Sequence, residues 1–490
     1  MNVVAMKSVG APARVDLYQS ANAEIERLFL RCCQTNANQS PKWAEAGIAG
    51  CQLTPHGQGG GAVLFEDVMA VQVAILVEMI MDRGMDSGEE HRREILVGER
   101  AVKRRQAVRG PAMLSQGFRP FFLLAGIWAP LSMGLFVAMY QGHIALPTAF
   151  DAVVWHYHEM LFGYVAAVLA GFALTAIPNW TGRLPLQGAP LLGLVLLWLA
   201  GRVAVAISAL IGPWAAAAVD VLFLAALAAV FVREIVAGQN WRNLPLVVAV
   251  VLFFLSNVFI HYEALGLIDS GGRAQKFPIA IIIVLIALIG GRIIPSFSRN
   301  WLAKRTGAHL PTSFGQFDRL ALAVTLVALV WWAAAPLGPV TGGLAALAAA
   351  LNLIRLARWQ GLATGTEPLL WVMHLGYLWI PVGLVLLALA SWLPGVPHSI
   401  GVHALTVGAI GTMTLAVMSR ATLGHTGQPL QAGVGLTLAY LLVTAAVVLR
   451  IAALLWGGLF TPLVLAAAVA WIAAFLFYLG ACGPVLVKRH

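Results

Sequence analysis

The chain has 490 residues, 60% of them hydrophobic and only 11% charged, with a mean hydropathy of +0.83. Soluble domains carry about 25% charged residues, so this composition excludes one and indicates a protein embedded in the lipid bilayer. The formal net charge of +10 lies between apolar runs, where it orients a membrane protein, and so implies no nucleic-acid partner.

Residues 1–112 differ from everything after them. They hold Lys103-Arg104-Arg105, the run Gly59-Gly60-Gly61 and three of the four cysteines, Cys32, Cys33 and Cys51. The apolar stretch from Ala62 to Met81 is broken by Glu66, Asp67 and Glu78, which makes it too polar to span lipid. The expected organisation is a soluble, poorly ordered extension over 1–112 and a transmembrane domain over 113–490. The cysteines, including Cys482, are too few and too unevenly spaced for a disulfide framework. No Cys-x-x-Cys-His occurs, so any haem would be held non-covalently, as b-type.

Apolar runs of about 20 residues, each long enough to cross roughly 30 Å of hydrocarbon, then follow one another. They predict helices near 121–140, 152–178, 190–211, 214–236, 244–267, 276–297, 317–335, 338–357, 367–391, 399–421, 432–454 and 460–482. The fold class is therefore an all-α integral membrane protein with twelve transmembrane helices. Arg183, Arg233, Arg242, Arg299, Lys304, Arg305, Arg319, Arg358, Lys488 and Arg489 collect on the side of the N-terminus. The positive-inside rule then makes both termini cytoplasmic.

The sequence repeats itself internally. His158, Gly163 and Gly182 recur with identical spacing as His403, Gly408 and Gly427. Pro120, Pro245 and Pro368 each begin the first helix of a group of four. Three four-helix units about a pseudo-threefold axis account for both patterns.

The second predicted helix opens on Trp155-His156-Tyr157-His158-Glu159-Met160, and ionisable groups inside a membrane mark function by default. With a rise of about 1.5 Å per residue, His156, His158, His261 and His403 all fall near the outer leaflet. Neighbours two apart on a helix point about 200° apart, so His156 and His158 belong to different sites. One expected site is a haem with His158 and His403 as axial ligands, Gly163 and Gly408 leaving room for the macrocycle and Arg202 near its propionates. The other is copper on His156 and His261, with Met160 and Glu159 on the same face. Glu159 and Glu263 are alternatively orienting groups for imidazoles. The bland readings are an Arg202–Asp220 structural ion pair, a helix–helix hydrogen bond for His374 and turn contacts for His425.

Several stretches resemble the NnrS family of haem- and copper-containing bacterial membrane proteins associated with nitric oxide. They are Gly117-Phe118-Arg119-Pro120-Phe121-Phe122-Leu123, Trp155 to Tyr164, Asn179-Trp180-Thr181-Gly182, Gly291-Arg292-Ile293-Ile294-Pro295, and His403 to Gly427. Gln428, where arginine is expected, and the extension before Met113 depart from the pattern. The resemblance implies haem, copper, a location in the bacterial inner membrane, and a role in nitrosative-stress protection or denitrification. The protein would bind or redox-convert nitric oxide or iron-nitrosyl species. Whether it is an enzyme is left open. The alternatives are a transporter, or a catalytic relative of the haem-copper oxidases and nitric oxide reductases. The predicted sixth and seventh helices contain no histidine, which excludes the oxidase copper site itself.

Overall fold

The structure, a computed structural model, describes residues 110–488, so nearly all of the expected extension over 1–112 lies outside the described residues. Among these, every regular element is helical. Twelve helices are long and apolar enough to cross a membrane. They are α1 (Phe118–Tyr140), α2 (Ala152–Thr181), α3 (Ala189–Ala206), α4 (Pro213–Ala237), α5 (Leu244–Ala264) and α6 (Arg273–Leu302). The remainder are α7 (Gln316–Ala334), α8 (Pro339–Ala357), α9 (Pro368–Trp392), α10 (His398–His425), α11 (Val434–Leu455) and α12 (Phe460–Val487).

Turn chemistry sets the ends. Asp151 caps α2, its Oδ1 accepting from the Val153 and Val154 amides at 2.8 and 2.9 Å. At the far ends of α2 and α10 the matched glycines, Gly182 and Gly427, take φ of 68° and 73°. That left-handed conformation is cheap only for glycine.

Successive helices pack on one another, and α12 also packs on α1. Arg119 fastens that last contact, its Nη1 donating to the carbonyls of Val485, Leu486 and Lys488 at 3.2, 2.9 and 2.7 Å. The guanidinium thus satisfies carbonyls that a helix C-terminus leaves free. The most buried spans are α2 (83%), α6 (72%) and α10 (72%), with no other above 61%. The most enclosed helix therefore recurs at every fourth position, and the two His-Gly motifs lie on two of these three.

In both, the backbone departs from the α-helix directly after the repeated histidine. Glu159–Val165 and Ala404–Gly411 are π-helical, a wider turn that is rare and often found at functional sites. A tryptophan from the preceding helix covers the glycine in each. A Cβ on Gly163 would stand 2.4 Å from Trp128 Nε1, and one on Gly408 would stand 2.7 Å from Trp379 Cγ. The space expected for a macrocycle is filled by indoles.

Candidate functional site

The capped start of α2 fixes the direction of His156 and His158 within its first two turns. His158, with none of its surface exposed, points at α4 and α5. Its Nε2 lies 3.2 Å from Asp220 Oδ2 and 3.1 Å from Asn257 Oδ1, and its Nδ1 lies 3.1 Å from Glu159 Oε1. His261, near the end of α5, brings its Nε2 to 3.0 Å from the same Asp220 oxygen. Asn257, one turn earlier on α5, donates to that oxygen at 2.8 Å. The two imidazoles meet edge to face, centroids 5.2 Å apart. One carboxylate oxygen is thus the meeting point of three side chains from two other helices.

Arg202, close to the end of α3, supplies the counter-charge. It donates to Glu159 Oε2 at 2.7 Å and to Asp220 Oδ1. Glu159, Asp220 and Arg202 are all buried, and ionised groups persist in such surroundings only when paired. Two carboxylates against one guanidinium leave one negative charge over. A proton on His158 or a cation between the rings and Asp220 offsets it.

His158, Asp220 and His261 offer two nitrogens and an oxygen that all lie within 4.8 Å of one another. This N/N/O set suits copper or zinc, and Glu159 on the Nδ1 of His158 is the kind of outer partner that fixes a metal-binding ring. Phe150 tilts over both rings, at 5.3 Å from His158 and 5.6 Å from His261. Beside His261 a cavity of about 10 Å³, lined by Ala149, Phe150, Val205, Ser208 and Ala216 among others, has room for roughly one water-sized molecule.

The family whose description is NnrS protein matches residues 112–489. The chain belongs to the NnrS family. No curated protein matches it. For an NnrS chain, the structure groups the expected site residues differently from their spacing.

His156 and His158 do face apart, but His261 joins His158, not His156. The His156 ring stacks on Phe136 of α1, centroids 4.0 Å apart, and His403 and Arg450 are its titratable neighbours. His403 therefore stands with His156, its Nδ1 bonded to the Ser399 carbonyl at 2.7 Å. Glu159 belongs to the His158 network, while Met160 packs against the apolar core. Glu263 accepts from Ser270 Oγ at 2.5 Å and so secures a loop. A haem between His158 and His403 does not fit. Both nitrogens of His158 are engaged, Arg202 is committed to two carboxylates, and the glycines are covered by indoles.

Asp220 and Asn257 complete the cluster. Asp220 is recognisable in sequence as an arginine partner, and that ion pair is present; its second oxygen serving two imidazoles needs α4 and α5 side by side. His374 makes the expected helix–helix bond, to Ser298 Oγ at 3.3 Å, and the His425 ring lies 5.5 Å from that of Phe118.

Proposed function

We propose that this NnrS protein binds a copper ion through His158, Asp220 and His261 and uses it to handle nitric oxide or a nitrosyl species. The observation that carries the reading is the convergence of two Nε2 atoms on one oxygen of Asp220 inside the membrane. The donor set alone does not choose copper over zinc; the family resemblance favours copper. Bound copper would supply one-electron redox chemistry and an open position for a diatomic ligand. The chain's own groups prepare that position. Glu159 accepts the Nδ1 proton of His158 and so presents Nε2 to the cation, which displaces a proton on binding. Arg202 pairs with both carboxylates, Phe150 shields the rings, and the cavity beside His261 admits only a very small molecule. The lysine and arginine asymmetry supports placement in the bacterial inner membrane with both termini cytoplasmic, and the site then faces the periplasmic side.

Purified protein loaded with copper and assayed by elemental analysis tests this. One copper per chain, lost in His261→Ala and followed by a nitric-oxide-dependent absorbance change in the wild type, is the expected result. Wild-type protein that emerges without metal would falsify the reading.

A further inference from the structure

The first and last four-helix groups carry the same cations but not the same anions. His158 on α2 corresponds to His403 on α10, and Arg202, five residues before the break that ends α3 at Ile207, corresponds to Arg450, six before Trp456 ends α11. Arg202 meets two carboxylates. Among the described residues Arg450 meets no carboxylate, and the sequence contains no Asp or Glu after Glu367. The residue corresponding to Glu159 is Ala404, and the part of α12 that corresponds to the surroundings of Asp220 reads Ala466-Ala467-Ala468-Val469-Ala470.

The consequence is visible atom by atom. Among the described residues Arg450 Nη1 is buried with no hydrogen-bond partner, and so is His156 Nδ1. Arg450 has the Phe460 ring 5.7 Å from its guanidinium carbon. Its titratable neighbours are Tyr140, at the end of α1, and the imidazoles of His156 and His403. His403 adds a second imidazole, and the short helical start that holds it packs on α11. An arginine in the membrane without a counter-ion is costly, as is a buried donor without an acceptor. Both costs vanish if an anion with oxygen acceptors lies among these groups.

We infer that Arg450, His156 and His403 form an oxyanion-binding site, separate from the metal cluster, at the same end of the bundle. Its ligand is a carboxylate or phosphate group. A guanidinium pairs with either through two parallel hydrogen bonds; His156 donates from Nδ1 in the tautomer that carries its proton there, and His403, whose Nδ1 already donates to the Ser399 carbonyl, donates from Nε2 when protonated. The site requires nothing of the metal, so the two ideas fail independently.

Two sources of such a group are distinguishable. Purified wild type, Arg450→Gln and Arg450→Lys are titrated with sodium formate and with sodium phosphate against chloride at equal ionic strength, and the unfolding temperature is followed. The same proteins are taken from phosphatidylglycerol-containing vesicles and weighed by native mass spectrometry. A free small oxyanion gives a saturable stabilisation by formate or phosphate in the wild type. Its apparent affinity falls on the order of tenfold or more in Arg450→Gln, the effect of losing a hydrogen bond to a charged group, and partly recovers in Arg450→Lys. A lipid headgroup instead gives retained phosphatidylglycerol in the wild type and little in Arg450→Gln. Equal behaviour of wild type and Arg450→Gln in both assays overturns the site. If Arg450→Gln does not fold, His156→Phe carries the comparison, since Phe retains a ring against Phe136 but has no nitrogen.

Discussion

α2 and α10 start alike and are furnished differently. Each enters the bundle with a histidine, turns π-helical on the next residue and presents a glycine beneath a tryptophan. Around α2, Glu159 and Asp220 draw Arg202, His158 and His261 into a closed network. Around α10, among the described residues, the carboxylates are missing, and nitrogens on Arg450 and His156 are left without partners. The difference teaches that the shared backbone supplies position and the carboxylates decide which side chains gather there. Two acids gather Arg202 and two imidazoles; where they are absent, the proposed oxyanion would take their place.

Removing Asp220 breaks the contrast most severely. Asp220→Ala leaves a buried guanidinium and two imidazoles short of an acceptor, and losing one partner of a buried pair costs about 3–5 kcal/mol. Thermal unfolding in detergent should show that loss together with complete loss of copper. If stability is unchanged, the network is not held by this carboxylate.

Metal content separates the two regions next. His158→Ala and His261→Ala should empty the site, whereas His156→Ala and His403→Ala keep full copper. Glu159→Gln, which weakens the orientation of His158, should lower copper affinity by roughly 10–100-fold, the usual cost of an outer partner. Copper lost from the His156 variant but kept in the His261 variant would return the site to the other face of α2.

The glycines sharpen the comparison further. A Cβ on Gly163 would also meet Glu159 Oε2 at 2.9 Å, while on Gly408 the added atom meets only Trp379 within the three nearest contacts. Overpacking of this kind costs about 1–3 kcal/mol. Both alanine variants should therefore unfold at lower temperature, and only Gly163→Ala should also weaken copper binding. The smallest effect is expected of Met160→Leu. A volume-conserving swap outside the cluster should cost under about 1.5 kcal/mol and leave the copper content intact.

The histidines show where reading the sequence stops. That His156 and His158 diverge follows from helical rotation alone, and the structure keeps them apart. Their partners do not follow, and pairing by repeat equivalence put His158 with His403. Positions matched along the sequence lie on different helices, and nothing requires them to touch. α-Helical spacing places Glu159 on the His156 face, yet it is the first residue of a π-helical turn, where that spacing no longer holds.

The sequence by itself determined the membrane class, the twelve spans to within a few residues at most ends, and the end of the bundle at which the four histidines gather. Those properties rest on hydrocarbon thickness, on rise per residue and on the rarity of charge in lipid, all of which act locally along the chain. Only the tertiary structure decided that α4 and α5 bring Asp220, Asn257 and His261 to His158, while α1 and α11 bring Phe136 and Arg450 to the region of His156 and His403. Contacts between helices depend on which faces pack together, and in an environment where nearly every face is apolar the hydrophobic pattern does not record that choice.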